Sequence, residues 1–259
     1  MEIRSFSPNY NYRFINQGFT FPINPNASWF DRNDHSKCSI SLIEAAKNGC
    51  SECVKFLMSK EAGLKENHGK TALMYAANRG STECVKLLVD KESGSQDDIW
   101  GKTALMCAAK NANYTCVKLL IPHEVGLRDK DGKTALMYAA ENGHHGCVKL
   151  LVDKENGSQD NKYGCTALIY AAINGWPKCV KLLMDKESGK QDKYGKTALI
   201  YATIYYNWLP TFYGCAKLLK DKEAGLQDIN GKSALMYAAE KGYYDYVKLL
   251  IDKIGRAHV

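Results

Sequence analysis

One block of residues keeps returning along this chain, and its period limits the possible folds more than any other feature. Gly69-Lys70-Thr71-Ala72-Leu73-Met74-Tyr75-Ala76-Ala77 reopens at Gly101, Gly132, Gly164, Gly195 and Gly231, at intervals of 32, 31, 32, 31 and 36 residues. A worn earlier copy runs Ile40-Ser41-Leu42-Ile43-Glu44-Ala45-Ala46. Self-similarity at such a period means an array of small units stacked side by side. The units fall near residues 38–68, 69–100, 101–131, 132–163, 164–194, 195–230 and 231–253, the last incomplete.

The fourth unit shows what one copy should fold into. Thr134 is suited to cap a helix over Ala135-Leu136-Met137-Tyr138-Ala139-Ala140, all residues that tolerate helix well. Asn142-Gly143 stops it, with glycine at the left-handed position past a helix end. A second helix carries Cys147, Leu150 and Leu151 on one face, with Lys149 and Asp153 on the other. Gly157 ends it, and a polar stretch leads to Gly164. The class is therefore all-α. Two such helices cannot bury their own apolar faces, so neighbours must stack, and alanine pairs such as Ala76-Ala77 let first helices approach closely.

The cysteines follow the repeat. Cys53, Cys84, Cys116, Cys147, Cys179 and Cys215 each stand before Val-Lys or Ala-Lys. Packed helices lie roughly 10 Å apart, and a disulfide needs Cα atoms within about 7 Å. The column is expected to hold buried, unpaired thiols in a reducing compartment. Cys107 and Cys165 replace the tyrosine and lysine of other units, which ordinary drift explains. One spacing would suit zinc, His35-x2-Cys38-x11-Cys50-x2-Cys53. Cys53, however, belongs to the repeat column and Cys50 falls in a turn, so no metal is expected.

The block Gly-x-Thr, the Ala-Ala pair, the Asn-Gly stop and Val-x-Leu-Leu resemble the ankyrin repeat from about Ser39 to Lys253. The resemblance implies a helix-turn-helix solenoid of about seven repeats, joined by projecting fingers, that binds proteins. The departures are systematic. Alanine (Ala72, Ala104, Ala135, Ala167, Ala198, Ala234) replaces the family's proline, and Met or Ile replaces its histidine. The hydrogen bonds made by that histidine between turns are therefore lost, and the period of 31–32 against the usual 33 implies short fingers. Thr-Ala-Leu-Met-x-Ala-Ala with Cys-Val-Lys-Leu-Leu is similar to a large ankyrin class of diplomonad protists, some of whose members are fused to mitosis-related kinases.

Outside the repeats, residues 1–37 form an irregular leader rich in asparagine and aromatics. The sixth unit holds five extra residues between its helices, where Pro210 should interrupt the helix. Ile254-Gly255-Arg256-Ala257-His258-Val259 breaks the pattern and can be back-translated into the start of a common sequencing adapter. A non-native tail over 254–259 is therefore expected, with the true chain continuing.

Chemistry-bearing motifs are missing: no P-loop, Gly-x-Ser-x-Gly or His-Glu-x-x-His occurs. No enzyme activity and no cofactor are expected. The net charge of +7, from 35 basic and 28 acidic residues, is scattered and does not call for nucleic acid. No run reaches membrane length. A lysine column, Lys55, Lys86, Lys118, Lys149, Lys181, Lys217 and Lys248, reads as a solvated outer face offset by neighbouring Asp-Lys-Glu triplets such as Asp153-Lys154-Glu155.

What varies between units is expected to bind. The residue before each turn glycine is His68, Trp100, Asp131, Tyr163, Tyr194 or Asn230. Positions after the alanine pairs, including Arg79, Asn111 and Glu141, vary on the same rim. Exposed Trp and Tyr make strong anchors, unless these rings stack on one another. The aromatic insertion, Tyr205, Trp208 and Phe212, is the second candidate. The expectation is a monomeric, cytoplasmic scaffold for protein partners, with the cytoskeleton a further option. The alternative is the regulatory region of a larger enzyme such as a protein kinase.

Overall fold

The computed structural model describes residues 40–206 and 209–254. The leader, Cys38 and His35 of the candidate zinc spacing, Trp208 and the last five residues lie outside them. Among the described residues the secondary structure is fourteen helices and one isolated bridge, Gln227 to Ser233.

The helices pair as the periodicity predicts. The first helices are α1 (Leu42–Asn48), α3 (Ala72–Arg79), α5 (Ala104–Lys110), α7 (Ala135–Glu141), α9 (Ala167–Ile173), α11 (Ala198–Ile204) and α13 (Ala234–Glu240). The second helices are α2 (Ser51–Glu61), α4 (Thr82–Glu92), α6 (Tyr114–Glu124), α8 (His145–Glu155), α10 (Pro177–Glu187), α12 (Pro210–Glu223) and α14 (Tyr244–Ile254). Each first helix packs on its own second helix and on the first helices of adjacent units, and second helices also stack in sequence. The core is thus one continuous strip. Ala76, Ala77, Ala139 and Ala140 are fully buried between first helices, where any larger side chain would push units apart.

Local capping follows the expected residues with one exception. Thr71, Thr103, Thr166 and Thr197 accept from the backbone N–H three residues on. Thr134 holds the cap position of α7, but its Oγ1 makes no such bond and lies by the Glu155 carboxylate instead. Gly143 takes φ 75° at the end of α7, as the Asn-Gly stop requires.

The Asp-Lys-Glu triplets correct the sequence reading. The lysine column is exposed as expected, but the triplet's glutamate is not on that surface. Glu92, Glu155, Glu187 and Glu223, and Glu124 at the same position in Pro122-His123-Glu124, are 1–4% exposed. Glu155 Oε2 accepts from Leu136 N (2.7 Å), in the first turn of its own α7, and Oε1 accepts from Gly126 N (2.9 Å), in the turn that closes the preceding unit. Glu92, Glu124, Glu187 and Glu223 make the same two bonds. A carboxylate at a helix N-terminus meets unpaired amides and the positive end of the helix dipole. Burial pushes the carboxyls of Glu124, Glu155, Glu187 and Glu223 up, while these amide bonds pull them down. The inter-turn links expected to vanish with histidine are therefore supplied from another position.

The thiol column is buried, with Cys53, Cys84, Cys116, Cys147, Cys179 and Cys215 at 0–4% exposure and none of them in a disulfide. Cys50 caps α2, its Sγ accepting from Cys53 N. Burial raises the thiols of Cys84 and Cys116, and lifts Cys147 to about 11 and Cys179 and Cys215 to about 12. Only the thiolate reacts. A disulfide reagent at pH 8 should therefore modify these column cysteines slowly in the folded chain and all of them at once in denaturant. Rapid modification of most of the column under native conditions would contradict this packing.

Candidate functional site

The fingers stack through their backbones. The carbonyls of His68, Trp100, Asp131, Tyr163 and Tyr194 each accept a hydrogen bond from the next finger, from Asp98, Lys130, Asn161, Lys193 and Ile229 N respectively, at 2.7–3.1 Å. Glycine follows each of them for two reasons. Its φ is positive, and at Gly195 an added Cβ would lie 2.7 Å from Ile229 N of the next finger. Gln96, Gln159 and Gln191 add a second tie, each donating to the carbonyl of its own turn glycine and to one in the following finger. Because these rungs use main-chain atoms, the side chain before the glycine is released from stacking and can differ in every unit.

Those side chains differ in exposure, and Tyr163 also packs against the core. Trp100 is 56% and Tyr194 49% exposed. His68 and Asn230 are exposed, and Asp131 and Tyr163 half-buried. A lysine ammonium lies over each aromatic tip: Lys102 over Trp100 at 5.4 Å, Lys162 over Tyr163 at 5.1 Å and Lys196 over Tyr194 at 6.0 Å. On the first-helix rim, Arg79 donates to Lys47 O and Asn111 to Asn78 Oδ1, so both tie their unit to the preceding one.

Units four to six, with Lys110 and Asp131 of unit three, line a groove of about 570 Å³ between fingers and first helices. It gathers Asp131, Tyr163 and Tyr194 from the finger tips with Glu141 and Tyr205 from the rim. His68, Trp100, Asn230, Arg79 and Asn111 lie elsewhere along the array. The insertion candidate is split. Tyr205 joins this groove, stacked on Tyr201 with ring centroids 6.0 Å apart. Phe212, placed at the surface by its sequence context, is 5% exposed and packs against Gly175 of the preceding unit. Its role is stacking, because α12 begins at Pro210 and turns the ring inward.

The groove's floor was not among the expected site residues. Tyr138, Tyr170 and Tyr201 each donate a hydroxyl to a buried aspartate, Asp129 (2.6 Å), Asp160 (3.1 Å) and Asp192 (2.5 Å). Burial, together with that carboxylate, pushes these phenols up, so they remain donors. Lys133 bridges the walls, 3.2 Å from Glu141 and 4.1 Å from the Tyr170 ring centre. The recurring tyrosine after Leu-Met or Leu-Ile was a signal for this floor. No helix among the described residues is long and apolar enough to cross a membrane.

A stack of helix pairs with a shared backbone and changing rim defines a repeat solenoid built for surface recognition. A family model described as ankyrin repeats (3 copies) matches residues 42–126, 91–162, 109–193, 155–210 and 190–258. The chain belongs to the ankyrin-repeat family, whose repeats generally mediate protein–protein interaction and are typically non-catalytic. Comparison with curated proteins gives no significant match.

Proposed function

We propose that this chain is a non-catalytic scaffold that binds a protein partner on the face shared by its fingers and first helices. One observation carries the reading: the rungs between fingers are made by main chain, so a partner can contact the side chains there without breaking the rungs. The likeness to the diplomonad ankyrin class, and a cytoplasmic setting consistent with the thiol column, belong to the same reading.

The test begins with affinity capture from native cells and mass spectrometry. Binding of the captured partner is then measured for variants that retain the helical circular dichroism signal. Tyr163→Ala and Trp100→Ala should together expose the binding face, the central anchor weakening binding by about 2 kcal/mol or more. Lys149→Ala, on the outer face, should change it by well under about 1 kcal/mol. If Trp208→Ala abolishes binding while both finger variants bind normally, the insertion is the site and the reading is wrong.

A further inference from the structure

The groove of units four to six departs from the rest of the array at one position. After the other turn glycines stands a lysine: Lys70, Lys102, Lys133, Lys196 and Lys232. These lysines lie against tyrosine rings. Lys133 sits 5.5 Å from the centre of Tyr138 in its own unit and 4.1 Å from Tyr170 in the next. Lys102 lies 5.2 Å from the centre of Tyr138, so that ring has two ammonium groups within 5.5 Å. The same lysines lie among carboxylates, Lys102 sensing Asp97 of its own finger and Asp129 of the next.

In the fifth unit this position is Cys165. Its buried thiol senses the corresponding pair of carboxylates, Asp160 and Asp192. The acid that pairs with this lysine in the fourth and seventh units is absent from the fifth. Glu141 pairs with Lys133 and Glu240 with Lys232, whereas the fifth unit has Ile173. Two rings, Tyr170 and Tyr201, and two buried aspartates are therefore assembled around a place where the chain supplies a short neutral side chain. That place opens into the groove.

We propose that this gap between Tyr170 and Tyr201 is a recognition pocket for a basic side chain, lysine or arginine, of the protein partner. The partner's cation stands where the repeat elsewhere puts its own. Ring faces attract cations through their quadrupole, and the carboxylates behind them add to the attraction. The charged groups of the lining number three of each sign, Lys110, Lys133 and Lys162 against Asp131, Glu141 and Asp160, and Lys196, 5.7 Å from the Tyr201 ring centre, has a counterpart in Asp192, which accepts the Tyr201 hydroxyl. The array tolerates that spacing of cations, since Lys102 and Lys133 both lie against Tyr138. This inference rests on the protein-binding reading of the same face and narrows it to one chemistry.

The probe is a displayed library of random twelve-residue peptides, selected on the full chain. The selected peptides should share a lysine or arginine whose replacement by norleucine weakens binding about tenfold. Cys165→Lys restores the pattern of the other units and should weaken the same peptides at least about tenfold, with an unchanged thermal midpoint. Should that variant fail to fold, Tyr201→Leu should weaken them to a similar degree. Lys149→Ala should leave them unchanged. Peptides that lack a basic residue, or that bind Cys165→Lys as well as the native chain, overturn the inference. So does a selection that yields no binder. If such peptides still lose affinity on Tyr194→Ala, the face is right and the pocket assignment alone is wrong. If they respond only to Lys149→Ala, the functional reading falls with it.

Discussion

Glu155→Ala is expected to lower the unfolding free energy by about 3 kcal/mol or more, an effect out of proportion to an acidic residue in a charged triplet. The carboxylate is 4% exposed and accepts two hydrogen bonds, from Leu136 N and Gly126 N. Alanine leaves the buried amide of Leu136 without an acceptor, at about 1–3 kcal/mol, and takes from Gly126 N, in an exposed turn, a charged acceptor worth about 1.5 kcal/mol or more. The two amides belong to different units, so the loss also loosens the contact between them. Asp153→Ala, two residues away in the same triplet, removes only an exposed pairing with Lys186 at 3.4 Å and should cost within about 0.5 kcal/mol. Urea titration followed by circular dichroism compares the two. Equal effects would show that the buried glutamates do not hold the units together.

A comparable loss, roughly 3 kcal/mol, is expected for Gly195→Ala. Its φ of 71° strains any residue with a side chain, at about 1 kcal/mol. The remainder comes from the neighbouring finger. A Cβ would lie 2.7 Å from Ile229 N and 3.0 Å from Asp228 C, main-chain atoms that cannot rotate away. The rung from Ile229 N to Tyr194 O, 3.1 Å long, must then lengthen. Gly94→Ala is the matched control, since Gly94 has φ 78° but nothing within 4 Å of the added atom. It should cost about 1 kcal/mol. The difference between the two variants isolates the stacking of fingers. In Gly195→Ala the unfolding transition should also broaden or split, because each unit contacts only its neighbours and a weak junction uncouples the two sides. Equal costs would mean that the fingers contribute nothing to the stack.

The repeat made the architecture legible. Gly69, Thr71, the alanine pairs and Val-Lys-Leu-Leu each mark a particular place in a helix pair, and their recurrence implies stacking. The rim was legible for the same reason. Against nearly unchanging neighbours, His68, Trp100, Asp131, Tyr163, Tyr194 and Asn230 stand out as free to vary. Long-range partnership was not legible. Glu155 and Asp153 look alike in a triplet, yet only one of them reaches a helix end nineteen residues back. Phe212 reads as part of an aromatic insertion, and only the start of α12 at Pro210 turns it beneath Gly175.

The sequence by itself determined the unit, its number and its direction of stacking, because period, caps and apolar spacing are properties of residues close together in the chain. The tertiary structure decided which polar groups became inaccessible to water and which atoms met across units. Desolvation turns the triplet glutamates into staples, although nothing in their local context distinguishes them from surface charges. Rungs between fingers are made by main-chain carbonyls, which every residue has, so no residue type announces them. The groove has neutral side chains in its fifth unit because Cys165 and Ile173 stand at positions that the fourth unit fills with Lys133 and Glu141. In the sequence that difference is two substitutions eight residues apart; in the fold it is one space between Tyr170 and Tyr201.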